Sequence, residues 1–457
     1  MHFRTLVFTY LLLLLTLLTF LTGCTTIPET NDTAQVSPQV TLAPEPTQTD
    51  TSIDSLSPTA TPSTLPTPIE QPTLASPATP EVPLQQALNR FTDDALVYAR
   101  RDRFLMMADA SGKQQTWLTE QICNMENFSA EQSGIWSVDG RYLAITCNHD
   151  PGSDMILTSL LDTQTGQIQP LNFEVELSAH SWSPTASQIL IHSLYATDWY
   201  VVDASTGQHT RLITLSDSNT SATWSPDGTR VAVTGSVEDE QDSVYIMNID
   251  GTNRREFIVD QIPDYYSLNA ISWSPDGAFL LLNRQLNPAP DTYTHQAIRL
   301  DVETGDVQIL ADPLHDIPEF QWSPDGSWFI IGQSGRAEAP LGQWSLYDAD
   351  GTFIRNLSTD SERDDIAIRW LPNSQQFVIM TVRLTFGVEI ILSDLQGNEQ
   401  VHARYPDKGP SFPALAIAPS GSYIAVGLSD LDIGIVDIQG NEQAMIQGRI
   451  KEWRPKY

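Results

Sequence analysis

The chain has 457 residues and carries 57 Asp and Glu against 24 Lys and Arg, a formal net charge of -33. So large an acidic excess repels phosphate and excludes nucleic-acid binding as a natural function. What remains for the charge is a solvated acidic surface, with an attraction for cationic partners or divalent ions as the sharper alternative.

Residues 1–23 begin with Arg4 and continue as a nearly unbroken apolar run from Leu6 to Leu21. A positive start, an apolar middle and a small residue before a cut describe a secretory signal peptide. The ending Leu21-Thr22-Gly23-Cys24 resembles the lipobox of bacterial lipoproteins. That resemblance implies a diacylglycerol on the Cys24 thiol and Cys24 as the mature N-terminus. The alternatives are an ordinary signal peptide or a membrane helix with an incidental Cys. Residues 24–84 follow as a stalk: residues 25–83 hold twelve Pro, many Thr and Ser, and neither Gly nor an aromatic residue. Such a segment cannot bury enough surface to offset its ordering entropy, and Pro keeps it extended. The expected location is a cell membrane, lipid-anchored, with the remainder facing the periplasm or the exterior.

From residue 85 onward the chain is repetitive. Trp136-Ser137, Trp182-Ser183-Pro184, Trp224-Ser225-Pro226-Asp227-Gly228, Trp273-Ser274-Pro275-Asp276-Gly277, Trp322-Ser323-Pro324-Asp325-Gly326 and Trp370-Leu371-Pro372 are variants of one phrase, spaced 42 to 49 residues apart. A copy without Trp stands at Ile417-Ala418-Pro419-Ser420-Gly421. A period of this size marks one supersecondary unit repeated. Ser-Pro-Asp-Gly fits a type I turn. The strand after it is apolar at consecutive positions, as in Val231–Val233 and Phe279–Leu282, the pattern of a strand buried on both faces. A polar Gly hairpin comes next, as in Leu300-Asp301…Gly305, and then a fourth strand.

Four-stranded units at this period predict an all-β β-propeller over residues 85–457, with the Trp side chains wedged between blades. The Gly hairpin occurs eight times, because Leu105–Gly112 precedes the first Trp. The N-terminal unit therefore has three strands and lacks its first. The segment Ile450 to Pro455, with Trp453, resembles that missing strand. We read eight blades closed by the two termini; seven blades with an irregular first one is the alternative, because Ile450 lies three residues before Trp453 where Ile271 lies two before Trp273.

The recurring Trp-Ser-Pro-Asp-Gly, apolar strand and Asp-Gly hairpin resemble the TolB-type propeller repeat, also found in the propeller domains of prolyl-oligopeptidase-like peptidases. The resemblance covers nearly all of residues 95–457 and implies a binding role. The chain departs from TolB in lacking an apolar, periodic N-terminal α/β segment. It departs from the peptidases in lacking a Gly-x-Ser-x-Gly elbow; Gly332-Gln333-Ser334-Gly335 is one residue short.

Cys123 and Cys147 are the cysteines beyond Cys24. Outside the cytoplasm a disulfide between them would persist, with two separate thiols as the alternative. Variation between repeats collects at the end opposite the tight turns, in segments such as 237–242, 260–269, 283–295 and 312–319. Binding residues concentrate in such loops, so Tyr265, Tyr266, Tyr293, His315, Asp316 and the run Glu238-Asp239-Glu240 are the candidates. Tyr supplies a large amphipathic contact at low entropy cost. His149, His180 and His192 fall near strand ends but have no paired-ligand spacing, and Asp348-Ala349-Asp350-Gly351 lacks the distal Glu of a calcium loop. No catalytic group, cofactor or metal is expected. The leading expectation is a monomeric, membrane-anchored binding module for a protein, peptide or glycan; the alternative is an extracytoplasmic lyase or hydrolase with a metal or carboxylate site.

Overall fold

The computed structural model describes residues 91, 94–99, 105–118, 136–148, 156–171, 177–193, 197–216, 220–237, 242–259, 265–289, 292–314, 316–333, 343–357, 363–383, 387–406, 408–409, 414–428 and 432–454. The chain divides into two units, Met1–Ala75 and Ser76–Tyr457, and every described residue belongs to the second. The leader, Cys24, the Thr/Pro-rich segment and Cys123 lie outside the described residues, and of Cys147 only the backbone is described.

All regular structure among the described residues is β-strand, in seven four-stranded sheets and one three-stranded sheet. Each sheet is one blade of an eight-bladed propeller. Blade 1 contains Gln115–Trp117, Leu105–Asp109, Ala95–Ala99 and, from the other end of the chain, Arg449–Trp453. Blade 2 has Tyr142–Asn148, Ile156–Asp162 and Gln167–Pro170, with Trp136 bridging to Leu143 where a first strand would lie. Blade 3 starts at Leu177–Trp182, blade 4 at Ser221–Trp224, blade 5 at Tyr265–Trp273, blade 6 at Glu319–Trp322, blade 7 at Arg363–Trp370 and blade 8 at Leu415–Ile417. Successive first strands touch one another from blade to blade, so they line the inside of the ring. The fourth strands form its outer rim, as Gln167–Pro170, exposed at every position, shows.

The consecutive apolar runs have a direct explanation. Alternate residues of a strand point to opposite faces, and here both faces are cores. Val231 and Val233 pack toward blade 3 with Trp199 and Leu190, whereas Ala232 packs toward blade 5 with Trp273 and Leu280. Leu280 and Leu282 face blade 4, and Leu281 faces blade 6 with Phe329 and Ile331. The same division runs through every interface, including blade 8 against blade 1, where Ala425 and Ile433 meet Leu96, Tyr98 and Trp453. Eight apolar cores between eight consecutive blade pairs close the circle.

Closure by the C-terminal strand settles the blade count at eight. Val97 pairs with Glu452 and Tyr98 with Ile450, so Lys451 is a bulge. That extra residue is the three-against-two spacing that made seven blades an alternative. A bulge sets two residues against one and resets the alternation of its strand, so Ile450 and Trp453 face the same core although they are three residues apart, and blade 3 has the same device at His180, between Ala179 and Ser181.

The turns follow their sequence. Gly228 N donates to Ser225 O at 2.8 Å, Gly277 N to Ser274 O at 2.9 Å and Gly326 N to Ser323 O at 2.9 Å. Each turn is closed a second time by its Ser hydroxyl, which donates to the Asp two residues on: 2.5 Å in Ser225–Asp227 and Ser274–Asp276, 2.7 Å in Ser323–Asp325.

Candidate functional site

The tight turns and Gly hairpins occupy one end of the propeller. At the opposite end blade 5 differs from the rest. Its second and third strands, Phe279–Ala289 and Thr292–Asp301, have 11 and 10 residues, against six in the corresponding strands of blades 3, 4 and 6. The segments expected as loops, 260–269, 283–295 and 312–319, therefore contain strand among their described residues: Tyr265–Trp273 begins inside the first, Phe279–Ala289 and Thr292–Asp301 enter the second from either side, and Val307–Leu314 ends inside the third. Thr292-Tyr293-Thr294 is a β-branched and aromatic run that suits a strand, and a polar layer beneath it completes the pairing.

That layer is the part of the site sequence reasoning missed. Asn283, Arg284, His295 and Gln296 are all buried in blade 5, together with Asn269 and Ser267 of its first strand. Asn283 Nδ2 donates to Asn269 Oδ1 at 2.7 Å and lies 3.1 Å from His295 Nδ1. Arg284 Nε donates to Gln296 Oε1 at 2.8 Å, and its Nη1 donates to Val259 O of blade 4 at 3.2 Å. Asp242, also of blade 4, accepts from Leu268 N at 2.9 Å. A satisfied buried polar network fixes geometry more sharply than apolar contact does. The only available signal was the consecutive polar run Asn283-Arg284-Gln285, which reads equally well as a loop.

The register brings the three candidate tyrosines to this end of blade 5. Tyr265 pairs with Leu286, which pairs with Thr294, so Tyr265 and Tyr266 start the inner strand level with the start of the third. Their side chains, and all of His315, lie outside what the structure describes. Tyr293 is half-exposed, at 49%. Strand alternation places it on the side of His295 and Ala297, facing blade 6. His295 pairs with Leu314, where the fourth strand ends. Asp316 is half-buried, its Oδ1 accepts from Ile317 N at 2.8 Å, and its carbonyl accepts from Gln333 Nε2 of blade 6. Ile317 beside it is 48% exposed. Glu238, Asp239 and Glu240 lie outside the described residues.

His180 and His192 serve packing. His180 Nε2 sits 2.6 Å from Ala222 O of the next blade. His180 meets the Trp199 ring edge-on with centroids 4.9 Å apart, and His192 stacks on that ring at 4.7 Å. Trp199 is in contact with both and donates from Nε1 to Thr220 Oγ1 at 3.1 Å. Burial depresses both imidazoles, His192 to about 4 with the neighbouring His180 adding to the effect. Among the described residues no three His, Cys, Asp or Glu side chains are grouped to hold a metal ion, and His149 lies outside them.

The Trp residues of the repeated phrase lie between blades. Trp224, Trp273, Trp370 and Trp453 each donate from Nε1 to a first-strand carbonyl of the preceding blade: Ser181 at 3.1 Å, Thr223 at 3.3 Å, Gln321 at 3.2 Å and Ala416 at 3.2 Å. In every case the acceptor is the residue just before that blade's own Trp position. Trp136, Trp182 and Trp322 occupy the same place without a hydrogen bond from Nε1.

Comparison with known proteins agrees with this architecture. A family model described as the TolB beta propeller domain matches residues 95–365. Among curated proteins, THO complex subunit 3 of Arabidopsis thaliana is 29% identical over 186 residues, which is 38% of this chain and 52% of that one; the chain spans about half the length of this relative. Among solved structures, dihydro-heme d1 dehydrogenase NirN in complex with DHE is similar with a TM-score of 0.56 and 14% identity, over 80% of this chain and 75% of that one. Dipeptidyl peptidase 4 of Porphyromonas gingivalis is similar with a TM-score of 0.54 and 11% identity, over 76% of this chain and 57% of that one. At these identities the structural likeness is one of fold.

Proposed function

The chain belongs to the TolB β-propeller family, and on that premise we propose that it is a membrane-anchored extracytoplasmic lipoprotein whose propeller binds a protein, peptide or glycan without catalysing a reaction on it. The observation that carries the binding reading is the extended end of blade 5. Its strands project further than those of blades 3, 4 and 6, a buried polar network stiffens their base, and Tyr293 stands half-exposed above it. A binding surface on a rigid support loses little entropy when it is occupied, and an exposed Tyr is an effective anchor for either polypeptide or sugar.

Two experiments test the two halves. For anchoring, Cys24→Ser should move the protein from the membrane fraction to the soluble fraction; a variant that stays in the membrane would contradict lipidation at Cys24. For binding, the detergent-solubilised full chain is used to capture envelope proteins and glycans, beside Tyr293→Ala. The expected result is a captured species that the variant fails to retain. Capture unchanged by Tyr293→Ala would remove blade 5 from the proposal, and hydrolysis or elimination of a model polysaccharide with no capture would favour an enzyme.

A further inference from the structure

We propose that the cleft between the tight turns of blades 4 and 5 binds a free basic amino acid, its carboxylate on Arg230 and its two cationic groups on Asp227 and Asp276. The cleft lies at the turn end of the propeller, away from the extended strands of blade 5, and is independent of the binding surface there. Pro226, Asp227 and Arg230 of blade 4 and Pro275, Asp276 and Gly277 of blade 5 line a cavity of about 280 Å³, room for one small molecule. The repeat shows why this cleft differs. Five residues after the turn Ser, blades 2, 5 and 6 have an aromatic ring at Tyr142, Phe279 and Trp328, blade 3 has Gln188 and blade 4 has Arg230. Tyr142 stacks on Trp182 of the following blade with centroids 6.5 Å apart; Arg230 takes that place over Trp273, its guanidinium carbon 5.2 Å from the ring centroid. The blade 5 turn also stands further off its neighbour. A Cβ on Gly277 would lie 3.7 Å from Pro226 Cδ and 3.8 Å from Arg230 Nη2, where one on Gly326 would lie 3.5 Å from Pro275 and one on Gly421 3.0 Å from Pro372.

Arg230 is half-buried, and among the described residues its guanidinium makes no hydrogen bond or ion pair. A planar fork of donors resting on an indole is built to take a carboxylate. Asp227 and Asp276 are both exposed. In each, the turn's donors go to Oδ1: Ser225 Oγ at 2.5 Å and Thr229 N at 3.0 Å for Asp227, Ser274 Oγ at 2.5 Å and Ala278 N at 3.0 Å for Asp276. The turns thus fix both carboxylates and leave Oδ2 of each for a ligand. The Ser225 hydroxyl foremost, and Arg230 with it, hold the Asp227 carboxyl below its ordinary range. Arg299, the other cation acting on Asp276, is held 3.4 Å over the Phe279 ring and donates to Gln308 Oε1 at 3.2 Å, with Asp301 and Asp350 also acting on it. Charge chooses the ligand. One guanidinium and two carboxylates are complemented by one carboxylate and two cations, the pattern of free lysine, ornithine or arginine. A neutral or acidic amino acid would leave one of the two Asp unmatched.

The test is equilibrium dialysis of radiolabelled L-lysine against the full chain in detergent micelles. Competitors are unlabelled L-lysine, cadaverine, which lacks the carboxylate, and L-norleucine, which lacks the side-chain ammonium. L-lysine should bind, and each analogue should displace it about tenfold less effectively than L-lysine does, because each forfeits one charge-assisted contact. Arg230→Gln should weaken L-lysine about tenfold; Gln188 holds the same repeat position in blade 3, so the repeat accepts it. Asp227→Asn and Asp276→Asn should each cost about threefold, as exposed charge pairs do, with Asn keeping the Oδ1 that closes the turn. Thermal unfolding of the three variants, expected to match that of the parent, separates lost contact from lost fold, and the comparison of competitors on the parent needs no variant. No retention of L-lysine at millimolar concentration overturns the proposal, as does displacement by cadaverine or L-norleucine as effective as by L-lysine. Retention that all three variants leave intact puts the ligand elsewhere and overturns this site. Tyr293 takes no part in any of these measurements, so failure here leaves the binding reading of blade 5 standing, and failure there leaves this site standing.

Discussion

An indole that reaches across a blade interface does two separable things: it fills volume, and it satisfies a carbonyl. Trp224 and Trp182 separate them, because their exposures are nearly equal at 6% and 8% while only Trp224 donates from Nε1. Each Trp→Phe change removes similar volume. Trp224→Phe also leaves the Ser181 carbonyl without its donor, so it should cost about 1 kcal/mol more than Trp182→Phe. Urea unfolding of the two variants measures the difference, and equal losses would mean that packing alone matters. The histidines make a second prediction at this scale. His192 is depressed from 6.5 to about 4 by burial and by the neighbouring His180, which is itself depressed by burial. The unfolded chain therefore takes up these protons first, and stability falls as pH drops from about 6.5 to about 4. Asp227, held low by the Ser225 hydroxyl, and Asp325, held low by the Ser327 amide, act later, with stability lost below the ordinary carboxylate value of 3.8. His192→Gln should flatten the slope between pH 6.5 and 4 and leave the steeper fall below it intact. Unfolding midpoints across that range would show this; an unchanged slope in the variant would assign the effect elsewhere.

At the scale of the element, the Gly hairpin turns out to serve two needs, of which sequence shows one. Its positive φ was legible from Asp-Gly and Asp-x-x-x-Gly between apolar strands. Its second need is close approach to the neighbouring blade, which no local pattern encodes. A Cβ on Gly440 would stand 2.6 Å from His402 O of blade 7, and one on Gly305 would meet Phe257 only at 3.5 Å. Both have φ near +85°, at +90° and +82°. Gly305→Ala should therefore cost about 1 kcal/mol, the left-handed penalty alone, and Gly440→Ala about 2–3 kcal/mol, with strain and backbone displacement added. Thermal melts of the pair test this, and equal shifts would show that contact with the next blade is immaterial. The same hairpins receive side chains from the preceding blade: Arg255 Nη1 donates to Val302 O at 3.1 Å and Arg355 Nη2 to Asp394 O at 2.8 Å. Strand identity was readable because consecutive apolar residues can have one cause here, a core on each side. The end of blade 5 was not readable as strand, because its pairing is held by Asn283, Arg284 and Gln296 in place of apolar alternation. The tyrosines stand out in the sequence only by residue type and by their place near variable segments, and register, which is a non-local property, is what gathers them.

Over the whole molecule, stability depends on closing a circle whose first and last strands are more than 300 residues apart. Arg449–Trp453 supplies the inner strand of blade 1, and its Trp453 is 3% exposed between blades 8 and 1 with Nε1 bonded to Ala416 O. Glu452 reaches the other way, accepting from Trp136 N of blade 2 at 3.2 Å, and Arg454 N donates to Ala95 O at 2.7 Å. One short strand thus joins three blades. Trp453→Ala should cost about 3–5 kcal/mol through the cavity it leaves, a larger loss than Ala at an exposed rim position such as Met445, which is 44% exposed. Ending the chain at Gly448 should do more than lower stability. It exposes Leu96 and Tyr98, which are fully buried, and takes Ile450 and Trp453 out of the core shared by blades 8 and 1, so unfolding should divide into an early step confined to blades 8, 1 and 2 and a later one for the rest. Hydrogen exchange measures this blade by blade. Selective loss of protection in Ala95–Ala99, Leu105–Asp109 and Tyr423–Gly427 is the expected pattern. A truncated chain that still unfolds in one step, with those strands as protected as Phe377–Met380, would mean that the ring does not need its closing strand.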